Sequence, residues 1–127
     1  MYEKDNITVM LADDHVLIRQ GLKQLLELED DICVIAQAGT GKEAIDKTLE
    51  YKPDVLLLDI NMPTCNGIEV LRRLRDIGED VKIIMLTIYD NREYLYETMK
   101  LGANGYLLKD CDVDCLIQAR SEERRVG

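Results

Sequence analysis

Three apolar segments of this chain run directly into a charged side chain, and a fourth ends in a hydroxyl group. Asp13 and Asp14 follow ITVMLA, Asp59 follows VLLL, Thr87 ends VKIIMLT and Lys109 follows GYLL. Such runs are typical of strands buried on both faces, where a lone carboxylate is costly. Taken singly, an acid can cap a helix, a threonine suits a strand and a lysine can be solvated. Their occurrence at four segment ends indicates a common site.

These residue types suit phosphoryl chemistry if they meet in space. Three neighbouring carboxylates repel one another and require a cation, and Mg²⁺ prefers oxygen ligands of this kind. A carboxylate can also attack phosphorus and form an aspartyl phosphate. The metal ion and the ammonium group of Lys109 would then neutralise charge on the phosphoryl oxygens, while the hydroxyl of Thr87 donates a hydrogen bond to one of them.

Strand-like and helix-like segments alternate along the chain. Apolar runs predict strands at Ile7–Ala12, Ile32–Ala38, Val55–Leu58, Val81–Thr87 and Gly105–Leu108. Five helices are predicted. Shared apolar faces predict the first, from Ile18, Leu22, Leu25 and Leu26, and the third, from Ile68, Leu71 and Leu74, while a capping box opens the second, Thr40–Glu50. The fourth is Asn91–Leu101, closed by Gly102, and the last begins at about Asp112. This alternation predicts an α/β domain with helices on both faces of a parallel sheet, whose site lies outside the carboxyl ends of the strands.

The composition limits the classes of protein. At 127 residues, with 46% apolar and 32% charged residues, the chain is expected to form one globular domain. A formal net charge of −9 argues against binding the phosphates of a nucleic acid through this segment. The apolar runs are too short to span a membrane and no signal peptide opens the chain, so we expect a cytoplasmic protein.

Other chemistry-bearing residues do not form a convincing second site. Of the four cysteines, Cys33, Cys65, Cys111 and Cys115, only the last two are close in sequence, which is a poor match to zinc-site spacing. The single histidine, His15, follows the acid pair where the first helix begins, and we expect no direct chemical role for it. The segment GTGK lacks the first glycine and the final Ser or Thr of a nucleotide-binding P-loop.

Read together, the strand-end motifs resemble the receiver domain of bacterial response regulators. Asp13-Asp14, Asp59 in LLLDINMP, Thr87 in MLTIYD and Lys109 in GYLLKD carry the resemblance, which runs from about Ile7 to Ala119. The segments ADDHVLIRQGLKQLLE, AGTGKEAI and LGANGYLLKD are similar in particular to the LuxR/NarL-type subfamily, whose members carry a C-terminal DNA-binding helix-turn-helix. The resemblance implies a single doubly wound, flavodoxin-like (βα)5 domain with a five-stranded parallel sheet of order 2-1-3-4-5.

The resemblance also implies a role for each acidic residue. Asp59 would be the phosphoacceptor, receiving a phosphoryl group from a histidine of a partner sensor kinase. Asp14 and Asp59 would bind Mg²⁺ through their carboxylates, Asp13 would assist through water, and the backbone carbonyl of Asn61 would supply a further ligand. The chain would catalyse only its own phosphorylation and dephosphorylation, so we do not expect an enzyme.

The remaining roles implied by the resemblance concern the switch. Lys109 would pair with the phosphoryl group, Thr87 would move toward it, and the rotamer of Tyr106 would report the state. Pro63 and Gly67 would shape the loop after Asp59. The output face would comprise the fourth helix, strand five and the fifth helix, and its apolar members are Tyr94, Leu95, Met99, Tyr106 and Leu116. Subfamily members also use the first and fifth helices. A homodimer on phosphorylation is expected.

Two alternatives stay open at this point. A stand-alone receiver would act by protein contact, without a DNA-binding domain. A Mg²⁺-dependent phosphatase of the haloacid-dehalogenase type would also use an aspartyl nucleophile, but it carries its D-x-D pair after the first strand. Here Asp59 and Asn61 follow the third strand.

The C-terminal segment has an unusual composition. The apolar face of the last predicted helix stops at Ile117, and RSEERRVG, residues 120–127, is what a common sequencing adapter yields on translation. We therefore expect the receiver domain to occupy residues 1–119 and residues 120–127 to be a non-native or disordered tail. A C-terminal helix-turn-helix output domain would then be missing, and DNA would be contacted only through it.

Overall fold

The computed structural model of the chain describes residues 6–62, 66–87 and 92–108. These residues contain five parallel strands in one sheet, in the order β2-β1-β3-β4-β5, so the predicted fold class and strand order are confirmed. None of the helices described there has the length and apolar character that a membrane crossing demands. The elements in chain order are β1 (Ile7–Ala12), α1 (Val16–Leu26), β2 (Ile32–Ala38), α2 (Gly41–Tyr51), β3 (Val55–Asp59), α3 (Gly67–Asp76), β4 (Lys82–Thr87), α4 (Arg92–Lys100) and β5 (Gly105–Leu108).

The central strand, β3, explains why its sequence is apolar at successive positions. It pairs with β1 on one edge and β4 on the other, and all of its residues are buried. Because side chains alternate between the faces of a strand, Leu56 and Leu58 join one apolar cluster and Val55 and Leu57 join the other. Residues of α2, α3 and α4 belong to the first cluster and residues of α1 to the second, so helices cover both faces.

Most element ends lie where the sequence placed them. The observed bounds of β1, β2 and β5 are the predicted ones, β3 extends one residue further, to Asp59, and β4 begins at Lys82. The fourth helix ends at Lys100, and Gly102 after it has a φ of 107°, as expected of a residue that closes a helix. Its predicted first residue, Asn91, and the whole predicted fifth helix lie outside the described residues.

The predicted capping box of α2 forms with one difference. The Thr40 hydroxyl accepts a hydrogen bond from the Glu43 N–H at 3.2 Å, as expected of a helix cap. The Glu43 carboxylate accepts from the Gly39 N–H at 3.4 Å rather than from that of Thr40. The helix ends at Tyr51, one residue beyond the predicted end, and is stopped by Lys52, whose φ is 50°.

The first helix is less buried than its apolar face predicted. Of the four residues on that face only Leu26 is fully buried, while Leu22 packs at the edge of the second cluster. Ile18 and Leu25 are 37% and 38% exposed. Among the described helices α1 alone contributes to this cluster, and neither of these two side chains belongs to it.

A hydrogen-bond network ties together the amino ends of β4 and β5, away from their carboxyl ends. The Arg75 guanidinium donates to the carbonyls of Gly102 and Glu79 and to the side-chain oxygen of Asn104, at 3.0, 2.7 and 3.0 Å. The same Asn104 oxygen accepts from the Ile83 N–H at 2.9 Å, and the Asn104 N–H donates back to the Ile83 carbonyl at 2.7 Å. Burial lowers the pKa of Arg75 from its usual value.

Candidate functional site

Strand register brings the polar strand ends to one edge of the sheet. The last residue of β1 pairs with Leu58 of β3, so Asp13 lies level with Asp59. Asp59 in turn pairs with Leu86 of β4, the residue before Thr87. Because these strands are parallel, their carboxyl ends lie at the same edge of the sheet. Asp13, Asp59 and Thr87 are far apart in sequence but lie within one residue of the same level.

Three carboxylates meet at this edge. Four potential ligand atoms lie within 4.8 Å of one another: one carboxylate oxygen each from Asp13, Asp14 and Asp59 and one ring nitrogen of His15. Asp13 and Asp59 are each 1% exposed, whereas Asp14 is exposed, and Thr87 is fully buried. The set of three carboxylates fits a hard divalent cation, since oxygen donors of this charge are what such an ion prefers. The individual roles as ligands stay predictions.

His15 lies inside this group, although we expected no direct chemical role for it. Its Nδ1 is 3.0 Å from Oδ1 of Asp13 and 3.1 Å from Oδ1 of Asp14. Its backbone N–H also donates to the same Asp13 oxygen at 2.8 Å. The one sequence signal for this position was its place directly after the acid pair, where a strand end turns into a helix.

The loop after Asp59 folds back against the strand. The backbone N–H of Asn61 donates to Oδ1 of Asp59 at 3.1 Å, and the N–H of Gly67 donates to the Ile60 carbonyl at 2.8 Å. A Cβ atom on Gly67 would overlap the carbonyl oxygen of Asp59 and lie 2.9 Å from its carbonyl carbon. Gly67 therefore permits a close approach of two backbone segments. The carbonyl of Asn61 as a metal ligand stays a prediction, and Pro63 lies outside the described residues.

A contact that the sequence analysis missed holds the loop after β1. The Arg19 guanidinium reaches back from α1 and its Nη1 donates to the backbone carbonyl of Asp13 at 2.8 Å. A Cβ on Gly39 would come within 2.8 Å of that nitrogen, so the first glycine of GTGK makes room for an arginine. No pattern within one element links these residues, because the contact joins a helix to the ends of two strands.

The site and switch residues on strand five are only partly described. Lys109 lies outside the described residues, so its position stays a prediction; β5 ends one residue before it, at Leu108, whose partner is Thr87. Tyr106 is half-buried and packs against the first apolar cluster, as does Tyr94 of α4. Their roles in switching stay predictions.

The predicted output face divides into buried and exposed members. On α4, Leu95 and Met99 are 40% and 46% exposed, and Tyr96, which we did not predict, is 71% exposed. Leu116 lies outside the described residues. The exposed side chains are available for contact, whereas Tyr94 contributes to the core.

Known proteins are similar to this chain over most of its length. The model of the response regulator receiver domain family matches residues 9–121. The transcriptional regulatory protein DegU of Brevibacillus brevis is 42% identical over 116 residues, which are 91% of this chain and 49% of that protein. The chain therefore spans about half the length of such relatives.

Solved structures agree with the sequence comparisons. The signal receiver domain of the response regulator NarL from Mycobacterium tuberculosis is 29% identical with a TM-score of 0.87, and the match covers 93% of this chain and 95% of that one. A DNA-binding response regulator of the LuxR family from Staphylococcus aureus is 28% identical with a TM-score of 0.85, covering 91% and 97% of the two chains.

Proposed function

Because the chain belongs to the response regulator receiver domain family and is of the LuxR/NarL type, we propose that Asp59 accepts a phosphoryl group from a histidine of a sensor kinase. The observation that carries this proposal is the burial of Asp59 at a strand end, beside two further carboxylates within 4.8 Å. A buried carboxylate in that environment suits the role of a nucleophile at a cation site, which supports the proposal. Members of this family are signal transducers, and the chain's catalysis is limited to its own phosphorylation and dephosphorylation.

In the proposed reaction an oxygen of the Asp59 carboxylate attacks phosphorus. The P–N bond to the donor histidine breaks, and its electron pair returns to the imidazole. Asp14 and Asp59 would hold Mg²⁺ directly, with the carbonyl of Asn61, and Asp13 would act through water. When bound, the ion supplies positive charge against the phosphoryl oxygens. The Lys109 ammonium pairs with one of these oxygens, and the Thr87 hydroxyl donates to another.

A small phosphodonor tests this proposal directly. We expect acetyl phosphate with Mg²⁺ to convert part of the protein to a species retarded on Phos-tag electrophoresis. Adding EDTA, which removes Mg²⁺, should suppress that species, because the reaction needs charge neutralisation between three carboxylates and a phosphate. The absence of any acid-stable retarded species with Mg²⁺ present, in protein shown to be folded by circular dichroism, would contradict the proposed function.

The Thr87→Ala variant tests how phosphorylation is transmitted. Thr87 is fully buried at the end of β4, next to β5. We expect the variant to accept the phosphoryl group but to switch less completely, since one hydrogen bond specific to the phosphorylated state is lost, worth about fivefold in the equilibrium between states. Amide chemical-shift changes of α4 and β5 on phosphorylation should shrink accordingly. Thr87→Ser keeps the hydroxyl and serves as the control; an equal loss in both variants would contradict this role.

We also propose that the full-length protein is a transcription factor. The support is its LuxR/NarL-type relatives and their length, since the chain spans about half of DegU. In this proposal a C-terminal helix-turn-helix contacts DNA, residues 120–127 are not native, and phosphorylation promotes a homodimer. The genomic sequence after Ala119 tests it: an uncontaminated reading frame that continues into a DNA-binding domain is expected, and a stop codon after Gly127 would favour the stand-alone receiver. The match to the receiver domain family over residues 9–121 argues against the phosphatase alternative.

A further inference from the structure

The imidazole of His15 has no part in the proposed phosphotransfer, yet it touches the proposed cation site. Its Nδ1 lies 3.0 Å and 3.1 Å from one carboxylate oxygen of Asp13 and one of Asp14. The ring is 58% exposed, so it sits at the rim, whereas Asp13 and Asp59 are buried beneath it. A nitrogen donor therefore stands next to the oxygen donors that hold the ion.

We propose that His15 is a further ligand at this site and sets its ion selectivity, so that the receiver accepts nitrogen-seeking divalent ions such as Ni²⁺ or Zn²⁺ as well as Mg²⁺. This inference rests on the proposed function, which places the ion between Asp14 and Asp59. Carboxylate oxygens alone favour hard ions such as Mg²⁺, whereas imidazole suits zinc and nickel. Adding His15 to the donor set changes which ions the site prefers.

The separations between donor atoms suit direct ligation. Two neighbouring ligands of an octahedral ion, each about 2.1 Å from it, are about 3.0 Å apart. The Nδ1 of His15 stands 3.1 Å from the Asp14 oxygen, which is a proposed direct ligand, so the two atoms could bind one ion as neighbours. Without an ion, the same separation allows Nδ1–H to donate to this carboxylate. With an ion, the ring proton would reside on Nε2, leaving the Nδ1 lone pair for the metal.

The backbone already holds His15 in place. Its N–H donates to Asp13 Oδ1 at 2.8 Å, and Arg19 binds the Asp13 carbonyl at 2.8 Å, which restrains the loop on which both residues lie. His15 is also the N-cap residue of α1 and its side chain makes no cap hydrogen bond, so capping does not compete for the ring. Ligation therefore needs little rearrangement.

Ion affinities at constant pH test the inference. Untagged protein stripped of metal is titrated with Ni²⁺ and separately with Mg²⁺ by calorimetry. In His15→Asn we expect the ratio of Ni²⁺ to Mg²⁺ affinity to fall about tenfold or more, because one nitrogen ligand is lost. His15→Gln provides a second substitution in case the first perturbs folding. Leu17→Asn is the matched control, because Leu17 is 83% exposed and is not a proposed ligand. This variant should keep the wild-type ratio.

A spectroscopic arm reports on the ligand atom itself. The chain has one histidine, so a long-range ¹H–¹⁵N spectrum shows a single imidazole. We expect Zn²⁺ to shift the Nδ1 resonance of His15 strongly. If the ion is bound by His15 and Asp14 together, the Asp14→Asn variant should show a smaller shift. An unchanged Nδ1 resonance, with zinc bound elsewhere, would overturn the inference, as would equal affinity ratios in wild type and both His15 variants.

The outcomes separate this inference from the proposed function. Mg²⁺-dependent phosphorylation of wild type together with an unaltered ratio in the His15 variants would reject the histidine ligand alone. Zinc ligation by His15 without any phosphorylation of Asp59 would instead reject the proposed function and retain the metal ligand.

Discussion

The Asp59→Asn variant is expected to lose phosphorylation by acetyl phosphate completely. The amide of asparagine has nearly the shape of the carboxylate and can still accept the Asn61 N–H, which donates to Oδ1 of Asp59 at 3.1 Å. It offers no anionic oxygen to attack phosphorus, so the nucleophile is removed without a cavity. Phos-tag electrophoresis of the variant should show one unretarded band at all acetyl phosphate concentrations.

The same substitution at the other end of the strand is the control. Asp54 precedes β3 and exchanges hydrogen bonds with Thr8, accepting from its backbone N–H at 2.9 Å and from its hydroxyl at 3.1 Å. Asp54→Asn should be phosphorylated as the wild type is, because it lies at the amino end of the strand. Acid-stable labelling that persists in Asp59→Asn would show that another residue is the nucleophile.

The stability of Asp59→Asn should change in the opposite direction from its activity. Removing one of three carboxylates whose ligand atoms lie within 4.8 Å relieves repulsion. We expect the free energy of unfolding in Mg²⁺-free buffer to rise by about 1 kcal/mol. Mg²⁺ should stabilise the wild type against urea more than the variant, since the variant binds the ion less well. A variant less stable than wild type without Mg²⁺ would contradict repulsion in this cluster.

The Gly67→Ala variant should have the largest effect on folding. A methyl group there would overlap the carbonyl oxygen of Asp59 and lie 2.9 Å from the Cα of Ile60, so the backbone itself must move. We expect a loss of about 3 kcal/mol in the free energy of unfolding, measured by urea denaturation. The backbone that must move belongs partly to Asp59, the proposed nucleophile. We therefore expect the molecules that do fold to be phosphorylated more slowly than the wild type.

Gly21→Ala is the matched control for this clash. A Cβ at Gly21 would meet no atom within 4 Å, and the residue lies inside α1. Alanine forms helix better than glycine, so this variant should gain about 1 kcal/mol and be phosphorylated normally. Equal destabilisation of the two variants would mean that the close approach at Gly67 is not the cause.

The strands were predictable because their burial imposes a local pattern. In β3 both faces are covered, so each position must be apolar and the run ends where the site begins, at Asp59. The strand order of the sheet followed from the family resemblance carried by the residues at its carboxyl ends. The helix α1 was predictable from its shared apolar face, but the burial of that face was not. Ile18 and Leu25 are part-exposed, and periodicity gives no information about which helix packs over another.

The contacts within the site were less predictable than its members. Asp13, Asp14 and Asp59 could be grouped from strand ends alone, because parallel strands deliver their carboxyl ends to one edge. The reach of Arg19 to the Asp13 carbonyl and the fit of Gly67 against Asp59 depend on distances between elements. The same holds for His15, whose ring orientation depends on the loop conformation and not on residue type.

The network around Arg75 has a mechanical consequence for signalling. It joins Gly102, which follows α4, and Asn104, the residue before β5, to Arg75 of α3. Asn104 is also bound to Ile83 of β4. Because these hydrogen bonds hold one end of β5, we expect any rearrangement of α4 and β5 on phosphorylation to be restrained at that end. The expected displacement is therefore smallest beside Asn104 and largest toward Leu108, which pairs with Thr87.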